Sequence, residues 1–271
     1  RVPKKGVPSC DKLREDARAG GTSGCVETGA FGKEAYILTG YFNLPKILEI
    51  TLNNGWDPQT GKKIGVETGE AADLQDFDQL LRAYEKQLRH FIDIKIRGNH
   101  VIERLYAQKM PAPFLSIIID DCIANGLDYN QGGARYNTSY IQGVGLGTIT
   151  DALAAIKHLV YDQGQVTMAE LLAGLATDFQ DNERLRQLLL NKPPKYGNDD
   201  DSADNIMTEV FHIFHRAVDD RPNTKGGTYR INLLPTTCHV YFGVKTGATA
   251  DGRKAKTPFS EGISPVQGAD R

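Results

Sequence analysis

The clearest periodic signal runs from Asp76 to Met110. Apolar side chains recur there mostly at three- and four-residue spacing (Phe77, Leu80, Leu81, Tyr84, Leu88, Phe91, Ile92, Ile96, Val101, Ile102, Leu105). That repeat lays one face of an α-helix against a core. Pro111 and Pro113 stop it, and Gly98 is the place for a break. A shorter helix is expected near Asn43–Asn53, where Leu44, Ile47, Leu48 and Thr51 share a face. Pro45 suits its first turn and Asn54-Gly55 its end. Phe114–Ile119 is an apolar run bounded by Pro and Asp and reads as a buried strand. Ser139–Val144 reads as a second strand and Thr237–Gly243 as the last. Helices are expected over Thr148–Val160, Met168–Phe179 and Ser202–Val218, with a Pro/Gly/Asp linker over residues 191–201. Helices alternating with buried strands give an α/β class.

Composition narrows the function. The 271 residues suffice for one large domain or two small ones. Apolar residues make up 40% and charged residues 24%, with a formal net charge of −2. The dispersed charge leaves no positive field for nucleic acid or an acidic membrane surface. No apolar run reaches the roughly 18 residues that span a bilayer, and no signal-peptide pattern is visible. Cys10, Cys25, Cys122 and Cys238 are far apart without CxxC spacing. That argues against a thiolate zinc site or a dense disulfide framework and for reduced thiols in a cytoplasmic protein. The start at Arg1 and the loop-like Gly268-Ala269-Asp270-Arg271 suggest a piece of a longer chain.

Several motifs could carry chemistry. Cys25 and Glu27 stand two apart in a short stretch flanked by Gly24 and Gly29. In extended backbone such positions point to one side. A thiol and a carboxylate could then face one small ligand. Spacing alone equally allows a buried apolar cysteine and a surface glutamate. Gly143-Val144-Gly145-Leu146-Gly147, between a strand and a helix, has the context of a phosphate-binding turn. It lacks the GxGxxG spacing, so tight packing is the stronger reading. Asp199-Asp200-Asp201 reads as a helix cap. His212 and His215 lack a third metal ligand. Asn137-Thr138-Ser139 fits a glycosylation sequon.

Four blocks taken together resemble a known family. They are Ser23-Gly24-Cys25-Val26-Glu27; Gly132-Gly133-Ala134-Arg135-Tyr136-Asn137; Leu234-Pro235-Thr236-Thr237-Cys238-His239; and Asp251-Gly252-Arg253 through Ser260-Glu261-Gly262-Ile263-Ser264-Pro265 and Gly268-Ala269-Asp270. In this order they resemble the glycyl radical enzymes, pyruvate formate-lyase-like proteins, in the dehydratase and lyase branch. The resemblance implies a ten-stranded α/β barrel of two half-barrels with the cysteine loop inside. Residues 1–271 would supply that loop and much of the second half-barrel. The first half-barrel would precede Arg1, and the glycyl radical domain would follow Arg271.

The resemblance also implies roles. Cys25 would carry a thiyl radical and Glu27 would act as acid or base. No metal and no bound cofactor are implied. The glycyl radical would lie on a residue outside this chain, installed by a radical SAM activating enzyme. A homodimer of the full-length protein acting on a small-molecule substrate is the expected assembly. Cys25-Val26-Glu27-Thr28-Gly29 and Tyr36–Pro45 are most similar to the subfamily that dehydrates trans-4-hydroxyproline. Tyr41 and Thr236 match residues lining its pocket, so Cys25, Glu27, Tyr41 and Thr236 are expected to serve one cavity. The alternatives are another C–X lyase, cleaving choline or a diol, and a binding module without activity.

Overall fold

Gly20–Ser23 (β1) and Glu27–Ala30 (β2) pair as an antiparallel hairpin, with Ser23 opposite Glu27 and Gly20 opposite Ala30. The computed structural model describes residue 16, residues 18–23 and residues 27–269. The expected loop at Cys25 therefore lies outside the described residues, between two paired strands. Strand β3 (Glu34–Asn43) follows and runs straight into α1 (Leu44–Leu52). The Asn43 side chain caps that helix by accepting from Lys46 N at 3.0 Å. Pro45 occupies its first turn, as its fixed φ and missing N–H allow. Two short strands, β4 (Trp56–Asp57) and β5 (Lys62–Lys63), form a second hairpin.

Helix α2 spans Phe77–Lys109 without interruption. Gly98 does not break it, and a side chain there would meet open space. Two short helices follow, α3 (Pro113–Ile118) and α4 (Cys122–Asn125). The expected buried strand at Phe114–Ile119 is thus a helix, and an exposed one: Phe114 is 85% and Ile117 66% accessible. Pro113 sits in its first turn, and Asp128 Oδ2 accepts from Ala112 N and from Ser116 Oγ at 2.8 and 2.7 Å. A six-residue apolar run carries no period that separates strand from helix. Here proline in the first turn decides it, with the Asp128 carboxylate holding Ala112 and Ser116.

Strand β6 (Tyr136–Val144) leads through Gly145 into α5 (Leu146–Ile156), whose last turns widen to a π-type winding over Lys157–Asp162. Then come α6 (Met168–Ala176), α7 (Glu183–Asn191) and α8 (Asp201–Val218). Strand β7 (Thr228–Asn232) pairs parallel with β6, from Thr138 opposite Thr228 to Gln142 opposite Asn232. The sheet order is β3-β6-β7. The last element, expected as a strand over Thr237–Gly243, is helix α9 (Cys238–Val244). Its residue types favour a strand. Packing overrides them, because Gly243 lets the helix press on the chain at Thr257, whose carbonyl oxygen lies 2.1 Å from where a Cβ would be.

The chain divides into two compact units: residues 1–40, 92–142 and 218–232, and residues 41–91, 143–217 and 233–271. In the first, Ile92 and Ile96 of α2, Ile141 and Tyr229 are buried. In the second, Leu44, Ile50, Leu80, Tyr84, Leu88, Leu146, Ile149, Leu153 and Phe214 are among the largest fully buried side chains. Among the described residues no helix is long and apolar enough to cross a membrane.

Candidate active site

In the first unit the hairpin bearing Glu27 rests on one face of the sheet. Tyr140 of β6 donates its hydroxyl proton to Thr28 O at 3.0 Å. Glu34 of β3 accepts from Ala30 N at 2.9 Å and from the Thr138 hydroxyl. Gly29 packs under the Tyr36 ring, where a Cβ would come within 2.5 Å of it. Glu27 itself is half-buried at the first position of β2. Burial pushes the Tyr140 phenol up to about 12. The charges of Glu34 and Glu27 add to the rise and Arg230 opposes it. At neutral pH Tyr140 is therefore a proton donor held against the hairpin.

The second sequence block supports the chain leading into that hairpin. Arg135 forms two hydrogen bonds of 3.0 Å to the two oxygens of Asp121. It also reaches Asp16, which Tyr136 bonds at 2.8 Å and Lys33 pairs with. The Lys33 bond, followed by Tyr136 and Arg135, holds the Asp16 carboxyl down at about 2 in spite of its burial. Gly132 and Gly133 are packing glycines: a Cβ at either would sit 2.3 Å from Lys225 O or 2.1 Å from Leu127 O. Asn137 of the sequon is only 5% exposed and donates to the carbonyls of Gly132 and Ala134, so a glycan has no room there.

In the second unit the structure brings Tyr41 and Thr236 together across 195 positions, Oη to Oγ1 at 3.2 Å. Thr236 donates its one hydroxyl proton to Pro235 O at 2.7 Å, so Tyr41 is the donor to Thr236. The Thr236 backbone is in the left-handed region, φ 50°, which a β-branched residue enters only under constraint. Cys238 follows, half-buried. Burial pushes its thiol up, and its bond with Thr236 acts the other way. Of the four expected site residues, Glu27 belongs to the first unit and Tyr41 and Thr236 to the second. Cys25 is outside the described residues.

The remaining motifs are structural. The glycines at 143, 145 and 147 lie against side chains of Phe214, Pro45 and Ser260, each within 2.9 Å of a would-be Cβ. The first amides of α5 are already used: Thr148 N donates to Ser260 Oγ and Ile149 N to Gly145 O, both at 3.0 Å. That leaves those two N–H groups with nothing to offer a phosphate. Asp200 caps α8 by accepting from Ser202 N at 2.9 Å. His215 stacks on Phe211, and the described residues hold no group of three metal-ligating side chains. Arg253 of the fourth block is buried and spends its guanidinium on backbone carbonyls, Thr257 O at 2.6 Å and Lys254 O at 2.9 Å among them. Its Cζ lies 4.7 Å from the Phe259 ring centre.

The family model for pyruvate formate lyase-like proteins matches residues 4–243. The chain belongs to the pyruvate formate-lyase-like family. It is 58% identical over 259 residues to trans-4-hydroxy-L-proline dehydratase of Clostridioides difficile, covering 96% of this chain and 33% of that protein. The crystal structure of the Clostridioides difficile hydroxyproline dehydratase with substrate trans-4-hydroxy-L-proline bound matches with a TM-score of 0.94 at 57% identity, over 96% of this chain and 33% of that one. The glycerol-bound B12-independent glycerol dehydratase of Clostridium butyricum matches with a TM-score of 0.90 at 40% identity, over 94% and 32%. The chain thus spans about a third of the length of the relatives it matches. The α/β class expected from the sequence holds, and the chain corresponds to part of the barrel of this family.

Sequence reasoning missed Tyr140, Gln142, Arg230 and Asn232, which line up on paired strands. The available signal was a run of polar residues in a largely buried strand, Tyr136-Asn137-Thr138-Ser139-Tyr140-Ile141-Gln142.

Proposed function

We propose that the protein containing this chain is a radical C–O lyase that dehydrates trans-4-hydroxy-L-proline to pyrroline-5-carboxylate and water. The observation that carries the reading is the 58% identity, over 96% of the chain, to trans-4-hydroxy-L-proline dehydratase. The pairing of Gly20–Ser23 with Glu27–Ala30 on either side of the cysteine motif is consistent with it.

In this reading Cys25 takes a hydrogen atom from a ring carbon beside the one bearing the hydroxyl, and later returns one. Glu27, two positions on, gives a proton to the departing hydroxyl or takes one from the substrate radical. Tyr41 and Thr236 contact the substrate through hydroxyl groups. A glycyl radical on a residue outside this chain, installed by a radical SAM activating enzyme, supplies the initial abstraction from the Cys25 thiol. A cytoplasmic homodimer working without oxygen is part of the same proposal. The lower identity to a glycerol dehydratase, 40%, puts diol dehydration second.

The test uses the full-length protein, activated anaerobically, with electron paramagnetic resonance and product assay on the same samples. Cys25→Ser is expected to form the glycyl radical and make no product, because the serine O–H bond is too strong to break. Glu27→Gln is expected to keep the radical and lose about 10²–10⁴-fold in turnover. Normal turnover in Cys25→Ser removes the thiyl mechanism. Wild type that forms its radical and leaves hydroxyproline intact removes the substrate.

A further inference from the structure

Gln142 and Asn232 are the last paired residues of the parallel β6–β7 ladder. The carboxyl ends of parallel strands are where α/β sheets place their ligands. Which face the pair occupies follows from its neighbours. Ser139 Oγ and Tyr229 Oη both reach Glu103 of α2, at 2.7 and 3.3 Å. Tyr140 points the other way, to Thr28 O of the hairpin that carries Glu27. Side chains alternate along a strand. Gln142 therefore shares the hairpin face with Tyr140, and Asn232 shares it with Arg230. Two residues along a strand is about 7 Å and one strand across is about 4.8 Å, so the Cα of Asn232 is roughly 8 Å from that of Tyr140.

On this face Asn232 has a buried side-chain amide nitrogen with no hydrogen-bond partner among the described residues. Buried donors are almost always paired. The acceptor it calls for has to come from a bound molecule or from elsewhere in the protein. The charge nearby selects among acceptors. Arg230, two positions before Asn232 on this face, is matched by Asp219 at 2.9 Å and Asp220 at 2.7 Å. Acids outnumber the cation, which disfavours an anionic oxygen and favours a neutral one.

Resting on the function proposed above, we infer that Asn232 is a substrate-binding residue whose amide donates to the hydroxyl oxygen of the hydroxylated substrate. It thereby distinguishes hydroxyproline from proline. The amide reads the hydroxyl, and the flanking acids repel a carboxylate from that end of the site, which fixes the substrate's orientation.

The experiment is calorimetric binding of trans-4-hydroxy-L-proline and of L-proline to full-length protein that has not been activated, comparing wild type, Asn232→Leu and Asn232→Asp. Loss of one neutral hydrogen bond corresponds to about a 3- to 10-fold weaker Kd. Both variants are expected to lose that factor for hydroxyproline and to bind proline as wild type does. Asn232→Asp keeps the shape of the side chain, so it stands if Asn232→Leu does not fold, and melting temperatures report folding for both. Unchanged hydroxyproline affinity, or equal losses for the two ligands, overturns the assignment while leaving the proposed function in place. Wild type that binds no hydroxyproline refutes the substrate reading itself and this assignment with it.

Discussion

Replacing Asp151 by Asn should change how stability depends on pH. Asp151 lies on α5 and is 1% exposed. Its Oδ1 accepts from Tyr196 N at 2.9 Å, while Oδ2 has no partner among the described residues. The neighbouring ammonium of Lys195 goes to Leu189 O at 3.1 Å and Asp251 O at 3.4 Å instead. Burial pushes the Asp151 carboxyl from 3.8 up to about 7, with Lys195 and the Tyr196 amide opposing and the charge of Asp251 adding to the rise. A rise of roughly three pH units at about 1.4 kcal/mol each amounts to about 4 kcal/mol. The folded protein holds this proton more tightly than the unfolded chain does. The resulting stabilisation is full below pH 3.8, declines as pH climbs, and is lost above about 7. Asparagine stays neutral throughout and keeps the carbonyl that Tyr196 needs. Its unpaired N–H groups cost about 1–3 kcal/mol, and that cost does not vary with pH. The stability of Asp151→Asn minus that of wild type should therefore rise by about 4 kcal/mol between pH 4 and pH 8. Urea unfolding at five pH values measures it. Parallel pH profiles for the two proteins would show that the buried carboxyl does not titrate in this window.

Arg253→Lys should destabilise by about 3–5 kcal/mol in urea unfolding, since an ammonium cannot replace the planar fork and leaves buried carbonyls unpaired; a loss under 1 kcal/mol would contradict this. Tyr41→Phe removes only an exposed hydrogen bond to Thr236. It should shift stability by less than about 0.5 kcal/mol and lower kcat/KM for hydroxyproline about 3- to 10-fold in the activated full-length enzyme. A stability loss without a kinetic effect would make Tyr41 a packing residue.

The blocks by which the family is recognised turn out to be largely fasteners. Arg135 ties Asp121 to Asp16, Arg253 clamps the carbonyls around it, and Gly132 and Gly133 let two backbones touch. Arg253 and the two glycines tolerate little change because each meets backbone, which cannot be substituted. Two further glycines do similar work. At Gly227 a Cβ would fall 1.6 Å from Asn137 O, and at Gly197 2.2 Å from the Pro265 ring.

What the sequence alone determined was whatever is written locally. The three- and four-residue repeat of Phe77, Leu80, Leu81, Tyr84 and Leu88 specified α2, and Asn43 with Pro45 specified the start of α1. The order of four short blocks specified the family. Tertiary structure decided the rest. Strand β7 is five residues long, and its partner β6 lies about ninety positions away, so neither length nor period reveals the ladder. Phe114–Ile119 and Thr237–Gly243 have the composition of strands, yet a first-turn proline, with the Asp128 carboxylate holding Ala112 and Ser116, makes the first a helix and the close packing at Gly243 accommodates the second as one. The meeting of Tyr41 with Thr236, and the placing of Asn232 on the face that carries Glu27, depend on strand pairing and on which side of the pleat each residue falls. A shift of one residue would reverse that side while leaving the composition unchanged.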